Sequence, residues 1–394
     1  MPHERTRHLE RALSKSLRYW PVVCVTGARQ VGKTTLLRKL RRFHYVSMDD
    51  PAILDLALRN PKSVLTPPSV IDEAQKCPKI FDAVKLDVDE RKIPGKYVLT
   101  GSVRFSKRTL IRESLTGRSL TLQLFPMTCS ETLSLDFQYR WWNPGTSRMT
   151  RREFQRFLSQ GGMPAIFSAR GAHEKANYWS ALTESYLYRD LLMAVDKNPN
   201  PSLARSLLKA ICETLALGEL PRFSRILRKV GGPRQRAEKH LLALEDMMVI
   251  HRIHRLGGTQ QQDIFLPFDP AFFLSILALD SAAHDAAIHI ACMHIALMNE
   301  FLAQTMYAGD TRAGLYYAES PSGQLIHLVT HSRAKGLFFW KLFEEPVPHS
   351  YDLRYLSALA EKHKGRAIAL TSTERPFSTD SESGIKALPW ESVL

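Results

Sequence analysis

The chain has 394 residues, with 54 Lys and Arg against 39 Asp and Glu, a formal net charge of +15. A content of 44% hydrophobic and 24% charged residues excludes a disordered chain, and the length predicts two or three domains. The basic excess suits a polyanion such as nucleic acid, but by itself speaks only to solubility and non-specific binding.

Residues 1–20 read as a short amphipathic helix that leads into an apolar run, Pro21 to Thr26. Glycine-rich GARQVGKTTLLRKL follows, its tail helical in spacing, which gives strand, loop, helix. Further strands are predicted at Tyr45–Asp50, Ser69–Ala74 (after the break at Pro67–Pro68), Lys96–Ser102 and Ser119–Phe125. Short strands alternating with helices predict a parallel sheet covered on both faces. Trp141–Ser147 reads as a linker, and Thr150 to about Leu217 as helices broken at Gly161–Pro164. From Ser202 to Phe268 the pattern is three helices and two short strands around a Gly257–Gln262 turn. Helix continues to Tyr307, and strands follow near Gly314–Ala318, Gln324–Val329, Leu337–Phe343 and Arg366–Leu370.

Cys24, Cys77, Cys129, Cys212 and Cys292 form no CxxC pair, which argues against a disulfide framework or zinc knuckle and predicts a reducing, cytoplasmic setting. The charged N-terminus lacks an apolar signal core. The apolar stretch Ala286 to Met298, interrupted by His289 and His294, reads as too short to span a membrane.

Gly27-Ala28-Arg29-Gln30-Val31-Gly32-Lys33-Thr34 matches GxxxxGK[ST], with Thr35 next. The glycines let backbone N–H groups wrap phosphates, and the helix start adds a favourable dipole. Lys33 is expected on the β- and γ-phosphates of ATP and Thr34 on Mg²⁺. About 40 residues on, the apolar run Val70-Ile71 ends in Asp72, expected to orient the metal, and Glu73, expected to activate water. Ser102 either brings a hydroxyl to the γ-phosphate or is an ordinary turn residue. Arg118 is a candidate arginine finger, in cis or across a subunit boundary, with Arg104 and Arg112 competing for that role.

GARQVGKTTL, YVSMDDP, VIDEAQKCPKIFDAVK, YVLTGSVRF and ESLTGRSLTLQLFPMTCSE together resemble a large family of prokaryotic AAA-type ATPases with a C-terminal domain of unknown function. FLSQGGMPA, YLYRDLL and ALPWESVL extend that resemblance to nearly the whole chain. It implies an AAA-like core, a winged helix and a module resembling restriction-type nucleases.

Between Arg222 and Lys239 stand seven basic residues, Arg222, Arg225, Arg228, Lys229, Arg234, Arg236 and Lys239, against one acid, Glu238. Two helices and a turn fit a helix-turn-helix, with Arg234, Arg236 and Lys239 early on the second helix and a wing formed by His251–Arg255 and Asp263–Phe268. DNA contact is the expectation, mostly to phosphates; packing or protein contact is the alternative. Active relatives of the resembling family carry metal-binding acids where this chain reads Gln324 and Ile326, and a Glu-x-Lys where it reads Phe339-Trp340-Lys341. The module is therefore expected to be catalytically inactive, with Glu344 and Glu345 in a solvated turn and Glu319 nearby. His284, His289, His294 and Cys292 show no metal spacing and read as buried, hydrogen-bonded groups.

The expected architecture is an α/β P-loop NTPase (AAA-like) core over 1–133, a linker and helical segment over 134–200, a winged helix over 201–278 and a degenerate nuclease-like α/β module over 279–394. The expected function is ATP hydrolysis on or near DNA, with Glu73, Lys33 and Arg118 as catalytic residues. The alternatives are a nucleotide-gated switch with slow turnover and, behind it, a metal-dependent nuclease. ATP-dependent homo-oligomerisation is compatible with the sequence, and no membrane partner is expected.

Overall fold

The computed structural model describes residues 5–104, 115–145, 147–195, 198–279, 281, 285–310, 312–319, 325–378 and 385–394. An apolar run without polar alternation needs cover on both faces, and β1 (Val22–Thr26) is buried at every residue. It pairs in parallel with β4 (Tyr97–Gly101) on one side and β5 (Ser119–Gln123) on the other. With β2 (His44–Ser47) and β3 (Ser69–Asp72) the sheet order is β2-β3-β4-β1-β5, all parallel. Helices α1 (Leu9–Ser16), α2 (Lys33–Arg38), α3 (Pro51–Arg59) and α4 (Lys79–Glu90) accompany it.

Three expected strands stop early for identifiable reasons. Asp50 leaves β2 because its carboxylate caps α3, accepting the N–H groups of Ala52 and Ile53. Glu73 leaves β3 because its φ of 52° turns the chain. After Gln123 the chain still follows β1, with Leu124 N–H donating to the Thr26 carbonyl at 2.7 Å, but it no longer continues as strand.

The helical middle comprises α5 (Cys129–Thr132), α6 (Arg151–Gln160), α7 (Ala172–Ser185), a π-helical turn (Tyr186–Asp190), α8 (Leu191–Ala194) and α9 (Pro201–Ala216). Capping boxes from Thr128 with Glu131 and Thr150 with Glu153 open α5 and α6. The expected linker at Trp141–Ser147 is instead a core anchor. The Trp141 ring is fully buried, edge-on to Phe301 at 5.1 Å and Trp340 at 5.3 Å, because a large apolar ring gains more from burial than from a solvated tether.

Helices α10 (Phe223–Val230) and α11 (Arg234–Asp246) are followed by the antiparallel hairpin β6 (Ile250–Arg255) and β7 (Ile264–Pro267). Then come α12 (Pro270–Ile276), α13 (Ala286–Ala308), β8 (Gly314–Glu319), β9 (Leu325–Ser332), β10 (Gly336–Leu342), α14 (Ser350–Lys362), β11 (Arg366–Thr371), β12 (Phe377–Ser378) and β13 (Lys386–Pro389). β6 pairs with β8, so the hairpin joins an eight-stranded sheet, β12-β13-β11-β10-β9-β8-β6-β7, that runs straight across the boundary expected at residue 278. One apolar core likewise runs from Leu9 and Val23 through Trp141, Phe272 and Phe301 to Trp390.

α13 continues ten residues beyond the stretch read as Ala286 to Met298, ending at Ala308. At 23 residues, with a most apolar window of mean hydropathy 1.4, it is long and apolar enough to cross a membrane, but 72% of that window is buried within the protein. It carries buried polar groups that find partners: Glu300 accepts the Cys129 N–H at 2.9 Å and a Gln304 amide hydrogen at 2.8 Å.

Candidate phosphate-binding site

The loop Gly27–Gly32 leaves the carboxyl end of β1 and opens α2, the edge of a parallel sheet where ligands bind. Two of its glycines are required locally. A Cβ on Gly27 would stand 2.5 Å from the Leu124 carbonyl oxygen, and Gly32 adopts φ +98°. Lys33 is buried, its ammonium donating to the carbonyl oxygens of Gly27 at 2.9 Å and Ala28 at 3.1 Å. Burial pushes its pKa down, opposed by the nearby carboxylates of Glu73 and Asp72.

Asp72 ends β3 two strands from β1, and the Thr34 hydroxyl donates to its Oδ2 at 2.8 Å. The Tyr45 hydroxyl donates to the same oxygen; burial first, then this bond, pushes the phenol pKa up. Glu73 projects from its left-handed turn beside Gln75 and Ser102. The Gln75 amide donates to Glu73 Oε2, and the buried Ser102 hydroxyl, at the end of β4, lies 3.4 Å from that oxygen. Hydroxyl and carboxylate oxygens are the hard donors Mg²⁺ takes, so the residues present fit that group.

Three arms from outside the sheet hold the loop. Arg7, buried before α1, donates to the carbonyl oxygens of Val31 at 2.6 Å and Phe125 at 2.7 Å, and pairs with buried Glu131 at 3.2 Å. Arg29 forms a two-pronged ion pair with Asp190 of the π-helical turn, at 2.7 and 2.6 Å. The Tyr186 hydroxyl donates to the Arg29 carbonyl at 3.2 Å. Gln30 and Thr35 are exposed, Ala28 and Val31 buried.

The structure brings Gly27 to Thr34, Asp72, Glu73 and Ser102 together in one locale, along with Arg7, Tyr45, Gln75 and Asp190, which the sequence reading does not single out. The run DEAQ held a hint of Gln75; nothing local marks the others.

Arg118 is not brought to this locale. It precedes β5 at the amino edge of the sheet, its carbonyl accepting the Val22 N–H, a full strand length from the loop. Its guanidinium is paired with Asp89 at 2.7 and 2.8 Å. A finger role in cis is thus excluded by geometry. Arg104 sits against the end of α11, its N–H on the Asp246 carbonyl and its guanidinium 3.5 Å from Glu245. Arg112 lies outside the described residues.

Several of the basic residues expected on DNA pair with acids, and several are exposed. Arg222 is paired with Glu319, which staples α10 to β8, so it is a structural link rather than a free contact. Arg225 pairs with Glu219 at 3.3 Å, and Lys229 lies 4.0 Å from Glu213. Arg228, Arg234, Arg236 and Lys239 are exposed, Arg234 with its guanidinium over the Phe223 ring at 5.1 Å.

In the C-terminal sheet, Phe339 and Trp340 are core residues, and Lys341 pairs with Asp352 of α14 at 2.6 Å. Gln324 and His284 lie outside the described residues. Glu344 is not merely solvated: its carboxylate meets buried His289 Nδ1 at 2.5 Å, while Gln155 faces Nε2 at 3.0 Å. Burial lowers the His294 pKa to about 4.

Loop, strand order and acid pair define an AAA-type P-loop domain. The family model described as an AAA domain matches residues 19–133, and a domain of unknown function matches residues 151–262. Uncharacterized proteins of Mycobacterium tuberculosis and Mycobacterium bovis are each 26% identical over 253 residues, 61% of this chain. The chain spans about half of those relatives, 51% of their length. Among solved structures, the Walker-type ATPase of Pyrococcus abyssi aligns with TM-score 0.44 and 15% identity, over 69% of this chain and 95% of that one. AMPPCP-bound DnaA of Aquifex aeolicus aligns with TM-score 0.27 and 14% identity, over 61% and 86%.

Proposed function

We propose that the chain is a Mg²⁺-dependent ATPase that acts on or near DNA through the exposed basic residues of α10 and α11. The observation that carries the reading is the Thr34–Asp72 contact at 2.8 Å with Glu73 next in sequence and aimed at the same edge of the sheet. Thr34 and Asp72 would hold Mg²⁺, whose charge offsets that of the β- and γ-phosphates. Lys33 turns from its two carbonyl partners to the phosphates, and the loop N–H groups bind their oxygens. Glu73, steadied by Gln75 and Ser102, accepts the proton of the attacking water.

Turnover measured with and without duplex DNA tests this. Glu73→Gln should keep nucleotide binding and lose roughly 100-fold or more in turnover, and Lys33→Ala should lose binding. Undiminished turnover in Glu73→Gln refutes the base assignment.

A second reading, a nucleotide-gated switch with slow turnover, is favoured by the Arg29–Asp190 pair, which ties the loop to the helical segment. Tight binding, negligible turnover and no response to DNA would select it. Arg118 supports a finger only across a subunit boundary, so an ATP-dependent rise in mass on light scattering belongs to the same proposal.

A further inference from the structure

Between α6, α7, α9 and α12 lies an open groove of about 660 Å³. Its walls carry Arg156, Arg170, Lys175, Arg205 and Lys209, and none of the described residues lining it is acidic. The opposing charge nearby is thin. Arg205 pairs with exposed Glu184, and Lys209 lies 3.7 Å from Glu213 in an exposed pair of the kind worth little. Arg156 meets the uncharged Gln160 at 3.3 Å, and its charge combines with burial to lower the pKa of Arg5. Glu174 accepts the Arg170 backbone N–H at 2.6 Å.

One further feature points to an extended anion. α7 begins in the groove at Gly171, which offers no side-chain cap, and Glu174 of its first turn folds back to the Arg170 N–H, so the lining cations rather than the helix end supply the charge. The cations also continue beyond the groove: Glu213 lies between Lys209 at 3.7 Å and Lys229 at 4.0 Å, which leads the positive track from α9 onto α10. A small phosphorylated molecule would use only the groove, whereas the continuation suits a polymer. The floor supplies apolar contact but no free ring, since Trp179 is 4% exposed and packed against Phe272. Such a surface holds phosphates and not base faces.

We infer that this groove is a second polyanion site, which takes the sugar-phosphate backbone of a nucleic acid running along α9 toward Lys229. It meets the α10–α11 surface at Lys229 and rests on the same class of partner, and separate charge reversals away from that residue tell the two apart.

The experiment is fluorescence anisotropy of the full chain with labelled duplex and single-stranded oligonucleotides across a salt series. Arg170→Glu/Lys175→Glu should weaken binding roughly tenfold or more and reduce the salt dependence by about two phosphate contacts. Arg91→Glu/Lys92→Glu, exposed beyond α4 and equal in charge change, should leave affinity within about twofold. Arg228→Glu/Arg236→Glu reports the α10–α11 surface independently. Should the groove variant lose stability in a thermal melt, Arg170→Gln/Lys175→Gln replaces it, with a smaller loss of the same kind.

Wild-type binding by the groove variant beside weak binding by the α10–α11 variant overturns the groove and spares the DNA reading above. The reverse spares the groove and overturns that reading. No binding to either oligonucleotide overturns both. Equal displacement by polyglutamate at matched charge assigns the groove to acidic protein and overturns the nucleic-acid inference.

Discussion

Arg29 in the phosphate loop and Asp190 in the π-helical turn, 161 residues apart, meet through two hydrogen bonds of 2.7 and 2.6 Å. Asp190 is the more deeply buried, with 2% of its side chain exposed against 17% for Arg29. The two truncations are therefore unequal. Arg29→Ala strands a buried carboxylate and should cost about 3–5 kcal/mol, whereas Asp190→Ala leaves a cation able to reach water and should cost less. Denaturant melts of both single variants and the double variant measure the order and the coupling; equal costs that simply add would refute a direct interaction.

Tyr45 touches the pair proposed to hold Mg²⁺, and the sequence does not announce it. Its hydroxyl and that of Thr34 share one oxygen of Asp72, which fixes how the carboxylate faces the loop. Tyr45→Phe should raise the Mg²⁺ concentration for half-maximal turnover on the order of tenfold, with little change in stability. A Mg²⁺ titration of turnover checks this, and an unchanged midpoint removes Tyr45 from the site.

The Gly161–Gly162 pair seats α6 against both the P-loop core and α12. Gly161 has φ +73°, and a Cβ there would stand 2.2 Å from Asp269 Oδ1; on Gly162 it would stand 2.3 Å from the Met127 carbonyl oxygen. The Gly162 N–H donates to Asp269 and its carbonyl accepts from Met127, so neither neighbour can move without losing a hydrogen bond. Either alanine should cost more than about 2 kcal/mol. Gly171→Ala, with open space around it, should stay within roughly 0.5 kcal/mol in the same melts.

Glu300 makes stability depend on pH. Burial raises its carboxyl from 4.5 to about 7, so the fold favours the neutral form. Its contribution is complete below the unfolded pKa and is lost as pH rises from about 4.5 through about 7, a loss on the order of 3 kcal/mol. Glu300→Gln should flatten that decline and melt higher than the wild type above pH 7. Asp269, raised by burial to about 6, adds a slope of the same sign, whereas His251, His294 and His327, lowered by burial, add one of opposite sign that the variant keeps. The readout is therefore the difference in melting between Glu300→Gln and the wild type, and a difference that does not grow with pH across this window would contradict the assignment.

The strand, loop and helix around Lys33 were legible because their chemistry is local. Eight consecutive residues supply the N–H cradle, the ammonium and the hydroxyl, and apolar runs fix the strands that flank them. The helix, helix, hairpin order from Phe223 to Pro267 was legible for the same reason, in turn residues and periodicity. What the hairpin then pairs with was not, because strand partners are chosen by long-range burial, and β8 takes one edge of β6.

The sequence by itself determined that this chain builds a phosphate loop with an acid pair behind it. Only the tertiary structure decided which groups complete that site and which do not. Tyr45, Arg7 and Asp190 join it through contacts that no spacing encodes, while Arg118 is carried to the far edge of the sheet. The physical reason is range. Backbone N–H geometry is set by neighbours in the chain, whereas a buried charge takes whichever partner packing brings within about 3 Å.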